Sequence, residues 1–418
     1  MPMPSLASAR LRGAPPPPTD PEIPGYLPPF TDTDPEVAAA VAEELRQRQH
    51  SLAMHAAGQR GVSVPPEQAA VERIAIGRTK ALFGGKCAQV LPETGVPARE
   101  AALIALLAPG DTVLCPGHDF GGHGVHSTLA ALPGRPYDVV PYSLRASDGL
   151  VDMTDVLRLA RAHLPTVIVA GGAPHPRIPD LARFRQIADE VGALLMVDMT
   201  CFAGLVAAGL QPSPVSGAHI VTADLDGMVD GAGGGVLLTD DRHLATRLAP
   251  VSAARRTSGS PGESLVAQAV ALREATSSAF RDRQERALRG ARILAGRLLA
   301  DDVAESGVRV VTGSTETSLV LLDLLPASLD AGRAEERLRA LGIRPDSAER
   351  HGLCLGTAPL AVRGFDDTSF REVADVIARA LTHELHAAEM AELSTRVAAL
   401  TERHPDACAH TDTHPEEE

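Results

Sequence analysis

The stretch Thr166-Val167-Ile168-Val169-Ala170, followed by Leu181-Ala182-Arg183-Phe184-Arg185-Gln186-Ile187-Ala188-Asp189-Glu190-Val191 and then by Ala193-Leu194-Leu195-Met196-Val197, decides the fold. The first and third runs are short and apolar, as buried strands are, and the run between them is helical, so the chain passes strand, helix, strand. The pattern continues outward. Residues 111–114 and 138–140 read as earlier strands, 155–162 as a helix, and 219–222 and 235–238 as later strands. Strands that alternate with helices build βαβ units, whose parallel sheet is covered on both faces. A large α/β domain is expected.

Upstream, Asp34-Pro35-Glu36 opens a helix: Asp34 is an N-cap, Pro35 suits the first turn, and 37–49 is helix-forming. A second helix, 67–82, stops at Gly84-Gly85. Downstream, one long helical run over 264–299 leads to strands at 308–311, 317–322 and 353–355 and helices at 331–341 and 369–381, which make a smaller α+β C-terminal domain. The expected divisions are a Pro-rich arm over 1–34, the large domain over 35–275, the small domain over 276–390, and a helix end with an acidic, His-rich tail over 391–418.

Composition narrows the function. The chain has 418 residues, 44% of them hydrophobic, which is enough for more than one core. A net charge of −14 without a basic patch argues against a nucleic-acid partner, and 3% aromatic content argues against base-stacking platforms. No long apolar run suggests a membrane span, and the N-terminus lacks a signal-peptide core, so a cytoplasmic location is expected. Five cysteines without a CxxC pair do not make a disulfide framework. The spacing Cys408-x-His410-x-x-x-His414 reads as a polar tail, since a metal site needs a packed shell around its ligands.

Strings in a fixed order connect the chain to a known family. They include Leu106-Leu107-Ala108-Pro109-Gly110-Asp111-Thr112, Gly121-Gly122-His123, the 181–193 run, Val197-Asp198-Met199-Thr200, and Gly356-Thr357-Ala358-Pro359 with Arg363-Gly364-Phe365. Over about residues 34 to 385 the sequence resembles serine hydroxymethyltransferase, a pyridoxal-phosphate (PLP) enzyme. The resemblance implies a fold-type-I PLP-transferase-like large domain with a mainly parallel sheet, and a homodimer with sites at the subunit boundary. It places His123 on the cofactor ring, Asp198 on the pyridine nitrogen, and Thr94 and Gly95 in the phosphate loop.

The same resemblance points to losses. Gly227 stands where the Schiff-base lysine belongs, and the only lysines in the chain are Lys80 and Lys86. Cys354 replaces the arginine that clamps the substrate carboxylate, Ala173 a serine beneath the ring, and Cys201 the histidine after Asp-Met. The family's Ser-Glu-Asn becomes Ala57-Gly58-Gln59, and its Tyr-rich loop is missing. With cations removed and Asp224, Asp226 and Glu93 introduced, the pocket should repel a phosphate dianion. The expectation is therefore a serine hydroxymethyltransferase-like pseudoenzyme without a cofactor, acting as a binding or partner subunit, with a heteromer containing an active paralogue as a variant.

Two alternatives remain. One is a repurposed enzyme of the same fold, with a divalent metal at Asp224, Asp226 and Asp230 and with Asp198, Glu93, His123 and His126 nearby, supporting aldol-type or hydrolytic chemistry. The other is PLP held non-covalently, with His175 or His118 as the base in place of lysine.

Overall fold

The computed structural model describes residues 34–50, 68–91, 96–117, 137–225, 233–255, 261–327, 329–348, 352–382 and 385–405. Two helices open it, α1 (Pro35–His50) and α2 (Gln68–Phe83). Asp34 caps α1 by accepting the Val37 N–H at 3.3 Å.

The large sheet contains β1 (Cys87–Leu91), β2 (Thr112–Pro116), β3 (Asp138–Tyr142), β4 (Val167–Gly171), β5 (Leu194–Asp198), β6 (Ile220–Asp224) and β7 (Gly235–Thr239). Their spatial order is β1-β7-β6-β5-β4-β2-β3. Strands β6, β5, β4, β2 and β3 pair in parallel, whereas β7 and β1 are antiparallel to their neighbours. The βαβ alternation produces this parallel body, and β1 is a strand that the sequence reading missed.

Both faces are covered, as a parallel sheet requires. The helix α3 (Val96–Leu106) packs its Ala98, Ala101, Ala102 and Leu103 against Val113, Val167, Met196 and Ile220. The other face takes α4 (Met153–His163) and α5 (Leu181–Val191), which bury Val156, Leu159, Phe184 and Ile187 against Ile168 and Leu195. α5 has its apolar positions on one stripe and begins where the Asp180 carboxylate accepts the Arg183 N–H at 3.0 Å. Each such fully buried large side chain contributes roughly 1.5–3 kcal/mol. A short α6 (Ala203–Ala207) follows β5.

Next come α7 (Arg242–Arg255), which has Pro250 within it, and α8 (Pro261–Glu274) and α9 (Ser278–Leu298). The single helix expected over 264–299 is in fact two. Ser277 turns extended and caps α9 by accepting the Phe280 N–H at 3.1 Å, which stops the preceding helix at Glu274. The second sheet, in the order β10-β11-β9-β8, is built from β8 (Arg309–Val310), β9 (Leu319–Asp323), β10 (Asp346–Ala348) and β11 (Gly352–Gly356). Around it lie α10 (Asp301–Ala304), α11 (Ala331–Ala340), α12 (Ala358–Val362), α13 (Asp367–Thr382) and α14 (Ala387–Arg403), with α9 joining the same hydrophobic cluster. No described helix is long and apolar enough to cross a membrane.

Candidate functional site

A cavity of about 350 Å³ opens at the carboxyl ends of β2, β3, β4 and β5, where open α/β sheets place their ligands. Asp198, Ala173, His175 and Cys201 share its wall, so four residues singled out from the sequence come together. Asp198 is the last residue of β5 and is 1% exposed. The chain passes beside it through Gly171 and Gly172, which have φ of +80° and +77°. A Cβ on Gly171 would lie 2.3 Å from the Asp198 carbonyl oxygen, and one on Gly172 would lie 3.0 Å from Asp198 Oδ2. Only glycine allows this close approach.

The Asp198 carboxylate is held by Arg99 and Thr200. Arg99, from the second turn of α3, donates Nε to Oδ2 at 2.7 Å and brings Nη2 to the same oxygen at 2.6 Å. Thr200 donates its backbone N–H at 3.1 Å and its hydroxyl at 2.6 Å to Oδ1. Thr200 Oγ1 also accepts the Asp224 N–H at 3.0 Å, tying the ends of β5 and β6 together. A carboxylate offers about four acceptor positions; three hydrogen bonds occupy most of them, and the Nη2 contact adds an ion pair at Oδ2. The sequence reading missed Arg99, whose one sequence signal is its place on the helix that follows the Thr94-Gly95 loop.

His175 is held on both sides of its ring. Nε2 lies 2.9 Å from the Gly149 carbonyl oxygen, and Nδ1 accepts the Arg177 N–H at 3.2 Å while lying 3.0 Å from the Arg177 carbonyl oxygen. These contacts orient the ring in the cavity wall and leave it poorly placed as a free base. Cys201 gives its Sγ–H to the Ala173 carbonyl at 3.3 Å. Burial pushes its thiol up to about 12, with the charge of nearby Asp198 adding to the effect. Cys354 sits on β11, is buried and does not line the cavity; burial and Asp346 hold its thiol at about 12 as well.

The expectation of a cation-poor pocket is corrected. Arg145 and Arg177 both line the wall, with Arg99 behind Asp198. The first two carry counter-ions: Arg145 reaches Asp148 at 2.7 Å, and Arg177 reaches Glu316 at 3.1 Å. Glu316 also stitches the second sheet's side of the molecule to the cavity, accepting the Ile178 N–H at 3.1 Å while its own N–H donates to the Pro176 carbonyl at 2.8 Å.

His118, His123, His126, Glu93, Thr94, Gly95, Asp226, Gly227 and Asp230 lie outside the described residues, as does the 408–414 motif. Of the expected metal set only Asp224 is described, and the described residues contain no group of three His, Cys, Asp or Glu side chains able to hold a metal.

Over residues 67–377 the chain matches the family model described as serine hydroxymethyltransferase. The chain belongs to the serine hydroxymethyltransferase family. It is 40% identical over 412 residues to serine hydroxymethyltransferase 2 of Mycobacterium bovis, a match covering 90% of this chain and 96% of the relative. The serine hydroxymethyltransferase of Clavibacter michiganensis is 38% identical over 413 residues, covering 90% and 96%. That of Kineococcus radiotolerans is 39% identical over 425 residues, covering 93% and 97%.

Membership in this family supports the fold-type-I α/β architecture expected from the sequence. It also corrects the expectation that no cofactor is used, because near-full-length relatives carry the name of an enzyme that works with PLP. The serine hydroxymethyltransferase contacts do not all fit this cavity, however. Neither Lys80 nor Lys86 lines it, and the Asp198 carboxylate that would face a pyridine nitrogen already pairs with Arg99 and accepts from Thr200.

Proposed function

We propose that this chain is a serine hydroxymethyltransferase-family protein that binds its ligand without an imine to one of its own lysines. It does not carry out hydroxymethyl transfer and works as a binding or partner subunit, most simply a homodimer in the cytoplasm. The observation that carries this reading is the cavity wall. It holds Asp198, Ala173, His175 and Cys201 but neither of the chain's two lysines. An imine needs an amine within bonding distance of the ligand's aldehyde, and covalent catalysis on that route requires it.

The chemistry left in the wall favours binding over turnover. Asp198 is paired with an arginine, His175 is fixed between the Gly149 carbonyl and the Arg177 backbone, and the Cys201 thiol stays protonated at neutral pH. None of these is an available base or nucleophile. PLP supplies an aldehyde and an electron-withdrawing ring when bound. In this cavity it would be held by contacts other than a lysine imine, with Arg145 and Arg177 as cations of the described wall that could face a phosphate.

The test is serine-to-glycine conversion by the purified chain with PLP and a folate one-carbon acceptor in excess, so that the hydroxymethyl carbon leaving serine is taken up, beside a Gly227→Lys variant. The wild-type chain is expected to give no turnover above background. Gly227→Lys is expected to acquire a borohydride-reducible pyridoxyl group at residue 227. Turnover by the wild-type chain sinks the reading.

A further inference from the structure

Asp198 faces the cavity, whereas Arg99 does not line it and reaches the carboxylate from α3. The guanidinium places two nitrogens on Oδ2, at 2.7 and 2.6 Å, and Thr200 saturates Oδ1. Both partners are buried, Arg99 at 8% and Asp198 at 1% exposure, so the attraction is screened little by water. A cationic ring N–H entering the cavity would find a carboxylate already holding three hydrogen bonds and an ion pair, and would meet a like charge directly behind it. The other arginines at the cavity have acids of their own and do not compete for Asp198.

We propose that Arg99 is the specificity-determining residue of the cavity: by filling Asp198 from α3 it bars a protonated ring nitrogen, so that a pyridine-type ligand binds here only with that nitrogen unprotonated. This builds on the function proposed above but is tested separately from it. The probe is pyridoxine phosphate isotopically labelled at the ring nitrogen. It has the ring and the phosphate but no aldehyde, so imine formation cannot enter the result.

Binding is followed by titration and the state of the nitrogen by its NMR shift. The wild-type chain is expected to bind the probe weakly, with the ring nitrogen unprotonated. Arg99→Leu opens acceptor positions and is expected to bind it at least about tenfold more tightly, the size of one charge-assisted hydrogen bond, with the nitrogen now protonated. Because Arg99→Leu strands a buried carboxylate, Arg99→Gln is measured beside it; its amide still donates to Asp198 without the charge, and the same protonated shift is expected. The double variant Arg99→Leu/Asp198→Asn removes the acceptor charge and is expected to lose the gain. A protonated ring on the wild-type chain, a folded single variant that binds no more tightly, or an equal gain in the double variant would each overturn the proposal.

Discussion

Asp34 and Asp198 are both sealed from water and both held by arginine, yet they sit in different settings. Asp34, 0% exposed, takes Arg78 from α2 at 2.5 and 3.0 Å, Arg273 from α8 at 3.1 Å, and the Val37 N–H. It pins three helices together and does not line the cavity. Asp198 has one arginine, and its remaining acceptor positions go to Thr200 beside a cavity. A buried Asp–Arg pair is therefore no sign of a site by itself. What separates the two is the open volume on one side and the number of cations that can stand in for each other. Asp34 has a spare and Asp198 does not.

The sharpest way to break this contrast is to remove the arginines one at a time. Arg99→Leu leaves a buried carboxylate without a counter-ion and is expected to cost about 3–5 kcal/mol of unfolding free energy. Arg78→Leu leaves Arg273 in place at Asp34 and should cost less, about 1–3 kcal/mol. Urea denaturation of both variants checks the order, and equal losses would mean that Arg273 is no substitute.

Acid sharpens the same comparison. Burial works to raise the Asp34 carboxyl, but the Arg78 hydrogen bonds, the Val37 N–H and the Arg78 charge together hold it below its ordinary value of 3.8. A lowered folded value means that this stabilisation is complete above the unfolded value and is lost as pH falls through the folded one. The melting-temperature gap between wild type and Arg78→Leu should therefore be widest near neutrality and narrow below about pH 4. A gap that widens on acidification would contradict the assignment.

The smallest effect concerns two thiols, Cys201 in the cavity wall and Cys354 on β11. Cys201 and Cys354, both held at about 12, should alkylate in the native chain more slowly than half-buried Cys87, Cys354 at least about a hundredfold because it is also buried and Cys201 by less because it is half-buried too. Peptide mass spectrometry after brief iodoacetamide treatment measures the ratio. Rapid labelling of Cys201 would show that the wall opens far more than the packing indicates.

The same division between local and distant determinants explains what could be read in advance. The helix Leu181–Val191 matches its sequence expectation to the residue, because an apolar stripe, an Asp cap and a closing Gly192 agree locally. Strand β1 escaped notice because its five residues include Gln89 and gain their partner, β7, only through a pairing some 150 residues along the chain. At the site, Asp198, Ala173 and Cys201 were legible through the family resemblance. Arg99 was not, since its salt bridge to Asp198 spans 99 positions and nothing in the local spacing announces it.

The measurement that bears most directly on the central claim is borohydride reduction of the purified chain saturated with PLP, followed by mass spectrometry to locate any pyridoxyl group. The proposed lysine-free site predicts no stoichiometric pyridoxyl-lysine at Lys80 or Lys86 and no covalent adduct on the cavity wall. A stoichiometric adduct at either lysine, accompanied by conversion of serine to glycine, would contradict it.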